Sequence, residues 1–381
     1  MKISGWCGPL LRRKNCKMNI FFDYQIFALQ KYGGISRYFV ELSRALYQFS
    51  PETSILSPFH TNLQNEKHRA AYPELYATMP LGSFFKSPEA RLRATEWLTR
   101  FKCRNKKSVL HETYYSHRVR VRSPKVITVH DMIYELFGSG SHSEQAIISQ
   151  KKVAIDEADA IIAVSENTRR ELLNFYPQAE KKVHVIHHGV SELNASGVRD
   201  FVHAKPFILF VGNRGWYKNF KSLISVYAAS SLIKEQFDII CCGGGPITTE
   251  EKGMLTSSGI LTNVKFVSGD DDFVDSLYLA ASVLVYISEH EGFGMPVLEA
   301  MRCGCPVLCS NTSSLPEVAG DAALLVDVKD HDAITRGLES ILFDSTLRGT
   351  LKQKGMARAH MFTWERCAQE TLKVYESVIG K

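Results

Sequence analysis

From residue 18 onward, short apolar runs rich in β-branched and aromatic residues alternate with stretches whose apolar positions recur every three or four residues, and this alternation occurs twice. Apolar runs separated by helices form parallel strands, because a parallel pair needs a long connection and the connecting helix covers the sheet. The first series places strands at 19–22, 109–110, 125–129, 160–164 and 183–186, with helices at 35–48 and 165–175. The second places strands at 207–211, 237–242, 264–267, 283–287, 306–309 and 323–326, with helices at 220–230, 273–281 and 333–343. Periodicity fails over 191–206. The pattern predicts an α/β protein of two Rossmann-like domains, 18–195 and 207–360, with a linker at 196–206 and a ligand cleft at the carboxyl ends of the strands. The closing helical stretch, within 361–381, is expected to pack back on the first domain. Residues 1–17 read as a disordered extension ahead of Met18.

A chain of 381 residues is too long for one ordinary core, which agrees with two domains. No apolar run approaches the length needed to span a bilayer, and no secretory leader is evident. The nine cysteines are scattered, and Cys303, Cys305 and Cys309 read as core residues of a reduced cytosolic protein rather than metal ligands. The net charge of +6 is concentrated between Arg91 and Lys125, where eleven Lys or Arg residues face two glutamates. Segment 88–101 adds Leu92, Trp97, Leu98 and Phe101, which suits either an anionic membrane surface or an ordinary solvated helix. No nucleic-acid-binding motif accompanies the window.

The most informative stretch is VLVYISEHEGFGMPVLEAMRCGCPVLCSN, residues 283–311. A buried strand runs into a loop with Glu291, Gly292, Phe293 and Gly294. Pro296 then opens a helix expected over 296–303, and Gly304 suits its left-handed cap. Such a turn aims N–H groups and a positive dipole end at a ligand above the strands, with Glu299 one turn inside the helix. In the other loops, Arg214 and Lys218 follow the strand at 207–211 and suit a diphosphate, while Gly33 and Gly34 permit close backbone approach from the first domain. The glycine run 243–245 reads as a strand-to-helix turn near the nucleotide; a dinucleotide fingerprint would need glycine where Thr248 stands. Asp270, Asp271 and Asp272 read as helix-capping acids.

The segment from Glu291 to Glu299 resembles the E-x7-E motif of retaining glycosyltransferases of family 4, which have the GT-B fold. The flanks agree: Glu299-Ala300-Met301-Arg302-Cys303-Gly304, Leu315-Pro316-Glu317-Val318, Gly33-Gly34-Ile35-Ser36-Arg37-Tyr38, His130-Asp131 and His188-Gly189-Val190. The resemblance implies that Glu299 holds the nucleotide ribose, and that Glu291 with Gly292, Phe293, Gly294 and Met295 holds the donor sugar. It further implies that Arg214 and Lys218 neutralise the diphosphate, and that His130 contacts the transferring sugar while Asp131 orients its loop. The family places its arginine directly after the glycine, where this chain has Asn213. No cofactor or obligatory metal is implied. The opening segments are similar to bacterial mannosyltransferases of O-antigen or surface-polysaccharide synthesis. That similarity implies GDP-mannose as donor, a polyprenyl-diphosphate-linked glycan as acceptor, and work at the inner face of the cytoplasmic membrane. A UDP-sugar donor, or a GT-B epimerase or phosphorylase, is the alternative reading.

Overall fold

The computed structural model describes residues 18–59, 62–77, 87–115, 119–193 and 200–379. The extension at 1–17 and positions 196–199 of the expected linker lie outside the described residues, as does Arg118 of the basic window. Among the described residues, twelve strands form two parallel six-stranded sheets. The first contains β1 (Asn19–Phe22), β2 (Thr53–Ile55), β3 (Ser108–Glu112), β4 (Lys125–Val129), β5 (Ala160–Ala163) and β6 (Val183–Val185), in the order β2-β1-β3-β4-β5-β6. The second contains β7 (Phe207–Val211), β8 (Asp238–Cys242), β9 (Val264–Val267), β10 (Val283–Tyr286), β11 (Val307–Ser310) and β12 (Leu324–Val326), in the order β12-β11-β10-β7-β8-β9. Each order reverses once, between β1 and β3 and between β7 and β10. Loops leaving the carboxyl ends beside a reversal turn opposite ways, and a crevice opens between them.

Strand β2 is absent from the sequence reading because its three residues carry only one large apolar side chain, Ile55. Helices Leu63–Ala71, His142–Glu157, Thr249–Ser257 and Ser345–Ala359 also go beyond it. Each lacks a broad apolar stripe: His142–Glu157 buries Lys151, Ala154 and Ile155, and Ser345–Ala359 buries Leu351, Gly355 and Ala359. Helix Met295–Arg302 starts one residue earlier than expected, with Pro296 in its first turn, and Gly304 has φ +68°. Asp270 caps helix Asp271–Ala280 by accepting from the Phe273 N–H at 3.2 Å.

The last helix, Trp364–Val378, buries Trp364, Cys367, Ala368, Thr371, Val374, Tyr375 and Val378 on one face. That stripe completes the core of the first domain, against Phe22, Tyr38, Phe39 and Leu42. A 2.6 Å hydrogen bond between Tyr375 and His111 fixes its register. Gly189 permits the return crossing, since a Cβ there would lie 2.2 Å from the Trp364 nitrogen. Cys303, Cys305 and Cys309 lie in the core of the second domain, and burial pushes the Cys303 thiol up to about 11. Among the described residues no three His, Cys, Asp or Glu side chains are grouped to hold a metal ion, and no helix is long and apolar enough to cross a membrane.

Candidate active site

Because β7 and β10 are neighbours, the loops that follow them emerge side by side. After β10, Glu291, Gly292, Phe293 and Gly294 lead into helix Met295–Arg302, with Gly294 at φ +103°. The loop is held from behind: the Ser314 hydroxyl donates to the carbonyls of Glu291 and Phe293, each at 2.9 Å, and Glu291 N–H donates to Ser313 Oγ at 3.0 Å. It is also held from across the cleft. Ser165 and Thr168 of the first domain donate to the Gly292 carbonyl at 2.7 and 3.1 Å. A Cβ at Gly292 would lie 1.7 Å from the His130 carbonyl oxygen, so this glycine is required by contact between the domains. Met295 packs against the cores of both domains, and the buried Phe293 ring lies 4.7 Å from that of His188.

After β7, Lys218 reaches this loop. Its Nζ donates to Glu291 Oε1 and to the Tyr286 hydroxyl at 2.9 Å, and it lies 5.0 Å from the Tyr286 ring centre. Lys218 and Glu291 are both buried, so the pair places a desolvated cation at the strand ends, where electrostatic attraction is strong.

Arg214 does not join them. Its guanidinium pairs with Glu251 at 2.6 Å and donates to the carbonyls of Gly243, Gly245 and Pro246 at 2.6, 3.1 and 2.9 Å. It also lies over the Phe266 ring at 4.8 Å. Glycines 243, 244 and 245 all have positive φ, which turns their carbonyls onto the guanidinium. The structure thus turns Arg214, expected at the diphosphate, toward Glu251 and the carbonyls of the glycine run within the second domain. The glycine run, read as a turn near the nucleotide, wraps this arginine.

Glu299 is buried midway along helix Met295–Arg302. Arg37 Nη1 of the first domain donates to its Oε1 at 2.6 Å, and the Tyr278 hydroxyl donates to its Oε2 at 3.1 Å. The Glu299 carboxylate in turn raises the pKa of the Arg37 guanidinium. Asp271 accepts from the Tyr32 hydroxyl at 2.6 Å and lies 4.0 Å from Arg37. Sequence reasoning placed Arg37 inside a motif without giving it a partner, and nothing in local spacing links it to Glu299.

The first domain contributes Gly33, Gly34 and His130. Gly34 opens helix Gly34–Phe49; a Cβ there would meet nothing within 4 Å, whereas one at Gly33 would meet the Gln30 side chain. The His130 ring packs edge-on against Tyr38 at 5.0 Å, and its buried Nε2 has no protein hydrogen-bond partner. Burial lowers its pKa to about 4 against the opposing pull of Asp131, so the imidazole is neutral at ordinary pH. Asp131 Oδ1 accepts from Ile133 N–H at 3.1 Å, and Lys151 donates to the Asp131 carbonyl at 3.1 Å, fixing the loop. Beside it opens a cavity of about 270 Å³ lined by Asp131, Tyr134, Phe137, Glu144 and Tyr217.

Residues 32–192 match the family model described as Glycosyltransferase Family 4, and residues 195–358 match the one described as Glycosyl transferases group 1. Together these matches run through most of the chain. The chain belongs to glycosyltransferase family 4. This family 4 member is 30% identical over 244 residues to O-antigen chain mannosyltransferase B of Escherichia coli, a match covering 58% of this chain and 62% of that relative. It is 26% identical to N-acetylgalactosamine-N,N'-diacetylbacillosaminyl-diphospho-undecaprenol 4-alpha-N-acetylgalactosaminyltransferase of Campylobacter jejuni, over 57% of this chain and 60% of the relative. The aligned part thus spans less than two thirds of either relative. Sucrose-phosphate synthase from Thermosynechococcus elongatus superposes with a TM-score of 0.71 at 20% identity, covering 95% of this chain and 99% of that one. The fold is GT-B, and the cleft between its domains holds Lys218, Glu291, Glu299 and His130.

Proposed function

We propose that this family 4 glycosyltransferase moves an α-mannosyl group from GDP-mannose to a polyprenyl-diphosphate-linked glycan, with retention of configuration, in the synthesis of a bacterial O-antigen or related surface polysaccharide. The observation that carries the reading is the meeting of Lys218 and Glu291 at the β7–β10 reversal, with Gly292 pressed against the His130 loop. In transfer, the bond from the sugar C1 to the diphosphate oxygen breaks while one from C1 to an acceptor hydroxyl oxygen forms, and the hydroxyl proton leaves with the nucleotide diphosphate side. Positive charge must meet the departing diphosphate, and Lys218 with the N-terminal turn of helix Met295–Arg302 supplies it. With that charge in place, no obligatory metal is needed. Glu291 and Glu299 lie at opposite ends of one ligand, the sugar and the ribose, and Glu291 orients the sugar rather than attacking it. Neutral His130 contacts the transferring sugar, and the Asp131–Tyr217 cavity receives the acceptor. Similarity to an O-antigen chain mannosyltransferase supports mannose, and the diphospho-undecaprenol acceptor in the name of the Campylobacter relative supports a polyprenyl diphosphate. The test is a donor screen on the purified chain with a polyprenyl-diphosphate-linked oligosaccharide. GDP release with GDP-mannose is expected; release of UDP from a UDP-sugar instead would replace the donor.

A lipid-linked acceptor would bring the enzyme to the cytoplasmic face of a membrane. Helix Pro88–Lys102 supports this placement, because it buries Ala94, Thr95, Leu98 and Thr99 while Trp97 is 62% and Phe101 46% exposed. The two exposed rings stack at 5.5 Å, Arg104 covers Phe101 at 4.5 Å, and Arg100, Lys102, Lys106 and Lys107 are also exposed. Aromatic rings among cations suit an anionic lipid surface. Trp97→Ala combined with Phe101→Ala is expected to weaken binding to phosphatidylglycerol vesicles about tenfold, as for roughly 1.4 kcal/mol of lost ring burial. Undiminished sedimentation with vesicles would leave the helix an ordinary solvated one.

A further inference from the structure

A departing nucleoside diphosphate carries more negative charge than Lys218 alone can balance, and the buried Arg214 side chain is held by Glu251 and by the carbonyls of Gly243, Gly245 and Pro246. Another cation faces this end of the cleft from the opposite wall. Arg37 stands in the first turn of helix Gly34–Phe49, three residues after Gly34, and its Nη1 donates to Glu299 at 2.6 Å. Tyr278 holds the other Glu299 oxygen. Ribose hydroxyls donating to Glu299 must share or take over the lone pairs on which Arg37 sits, and a guanidinium displaced from a buried carboxylate needs another anion. Arg37 is tethered to a second acid, Asp271, only at 4.0 Å, and its side chain is partly exposed, so it has room to re-aim.

Resting on the reading that the donor ribose lies against Glu299, we infer that Arg37 is a donor-binding residue that changes partner. The ribose takes Glu299, and Arg37 passes to the diphosphate, where it supplies the second cation. One exchange then couples nucleotide recognition to the contact between the two domains, since the partner given up lies in the second domain and the guanidinium that moves belongs to the first. It also makes the ribose and the diphosphate cooperative: the first frees the cation that the second requires.

The inference predicts effects of opposite sign for two halves of one ligand. Calorimetric titration of guanosine and GDP, with uridine and UDP in parallel, would compare the full chain with Arg37→Ala and Arg37→Lys. Arg37→Ala is expected to weaken the preferred nucleoside diphosphate by about 10- to 100-fold, as for one charge-assisted contact. Its nucleoside should bind equally well or several-fold more tightly, because Glu299 no longer has to release a partner. Arg37→Lys should restore part of the diphosphate affinity. The ratio of the two affinities is internally referenced, so a partly misfolded preparation does not imitate the result. A ratio unchanged by Arg37→Ala, whether both ligands weaken together or neither does, overturns the inference and makes Arg37 a brace between domains. If the unaltered chain binds no nucleoside diphosphate more tightly than its nucleoside, the donor reading falls, and this inference falls with it.

Discussion

Lys218→Ala is expected to lower kcat for glycosyl transfer by about 10²- to 10³-fold, the range seen when one preorganised group is removed from a developing charge. The loss has two parts. The ammonium that meets the leaving diphosphate is gone, and Glu291 is left as a buried carboxylate without its cation, so the site turns repulsive toward the anion it must stabilise. The second part is separable. Lys218→Ala with Glu291→Gln removes both charges, and it should regain thermal stability lost by the single variant while remaining as inactive. Steady-state release of nucleotide diphosphate, together with thermal denaturation of each variant, checks the prediction. A single variant keeping more than a third of the activity would take Lys218 out of the leaving-group role.

Gly292→Ala is expected to abolish most transfer, by about 10²-fold or more, while leaving each domain folded. The added carbon would stand 1.7 Å from the His130 carbonyl oxygen and 3.1 Å from Asp131 Cβ, and both neighbours are backbone or short side chain with little freedom to retreat. The cheapest relief is for the cleft to open, since the clash lies between the domains and not within either core. An opening of about 1 Å is enough to cost this much rate, because reacting groups must be held at near-contact geometry. The same displacement would lengthen the bonds from Ser165 and Thr168 to the Gly292 carbonyl, now 2.7 and 3.1 Å. The measurement is kcat beside small-angle scattering: lost turnover with an increased radius of gyration and a nearly unchanged unfolding temperature. Activity within threefold of the unaltered chain would mean that the two loops do not need their present contact.

These expectations draw on two kinds of information. Strand and helix alternation was legible because buried parallel strands are apolar on both faces and amphipathic helices repeat every 3.6 residues. The glycine turn was legible too, because Gly294 and Gly304 occupy left-handed backbone that few other residues adopt. Less visible were elements with little apolar burial, such as β2 and helix His142–Glu157, where neighbouring structure rather than periodicity stabilises the conformation.

Side-chain partners follow a different rule. Arg214 and Lys218 lie four residues apart on one loop and both suit a phosphate, yet one is drawn to Glu251, 37 residues away, and the other to Glu291, 73 residues away. Glu299 finds Arg37 across 262 residues. The sequence by itself determined two α/β domains, the glycine-rich turn and the acids and bases available for a cleft, since these depend on local backbone geometry and repeating burial. Only the tertiary structure decided which cation faces which carboxylate, because strand order at the β7–β10 reversal and the approach of the first domain set those distances.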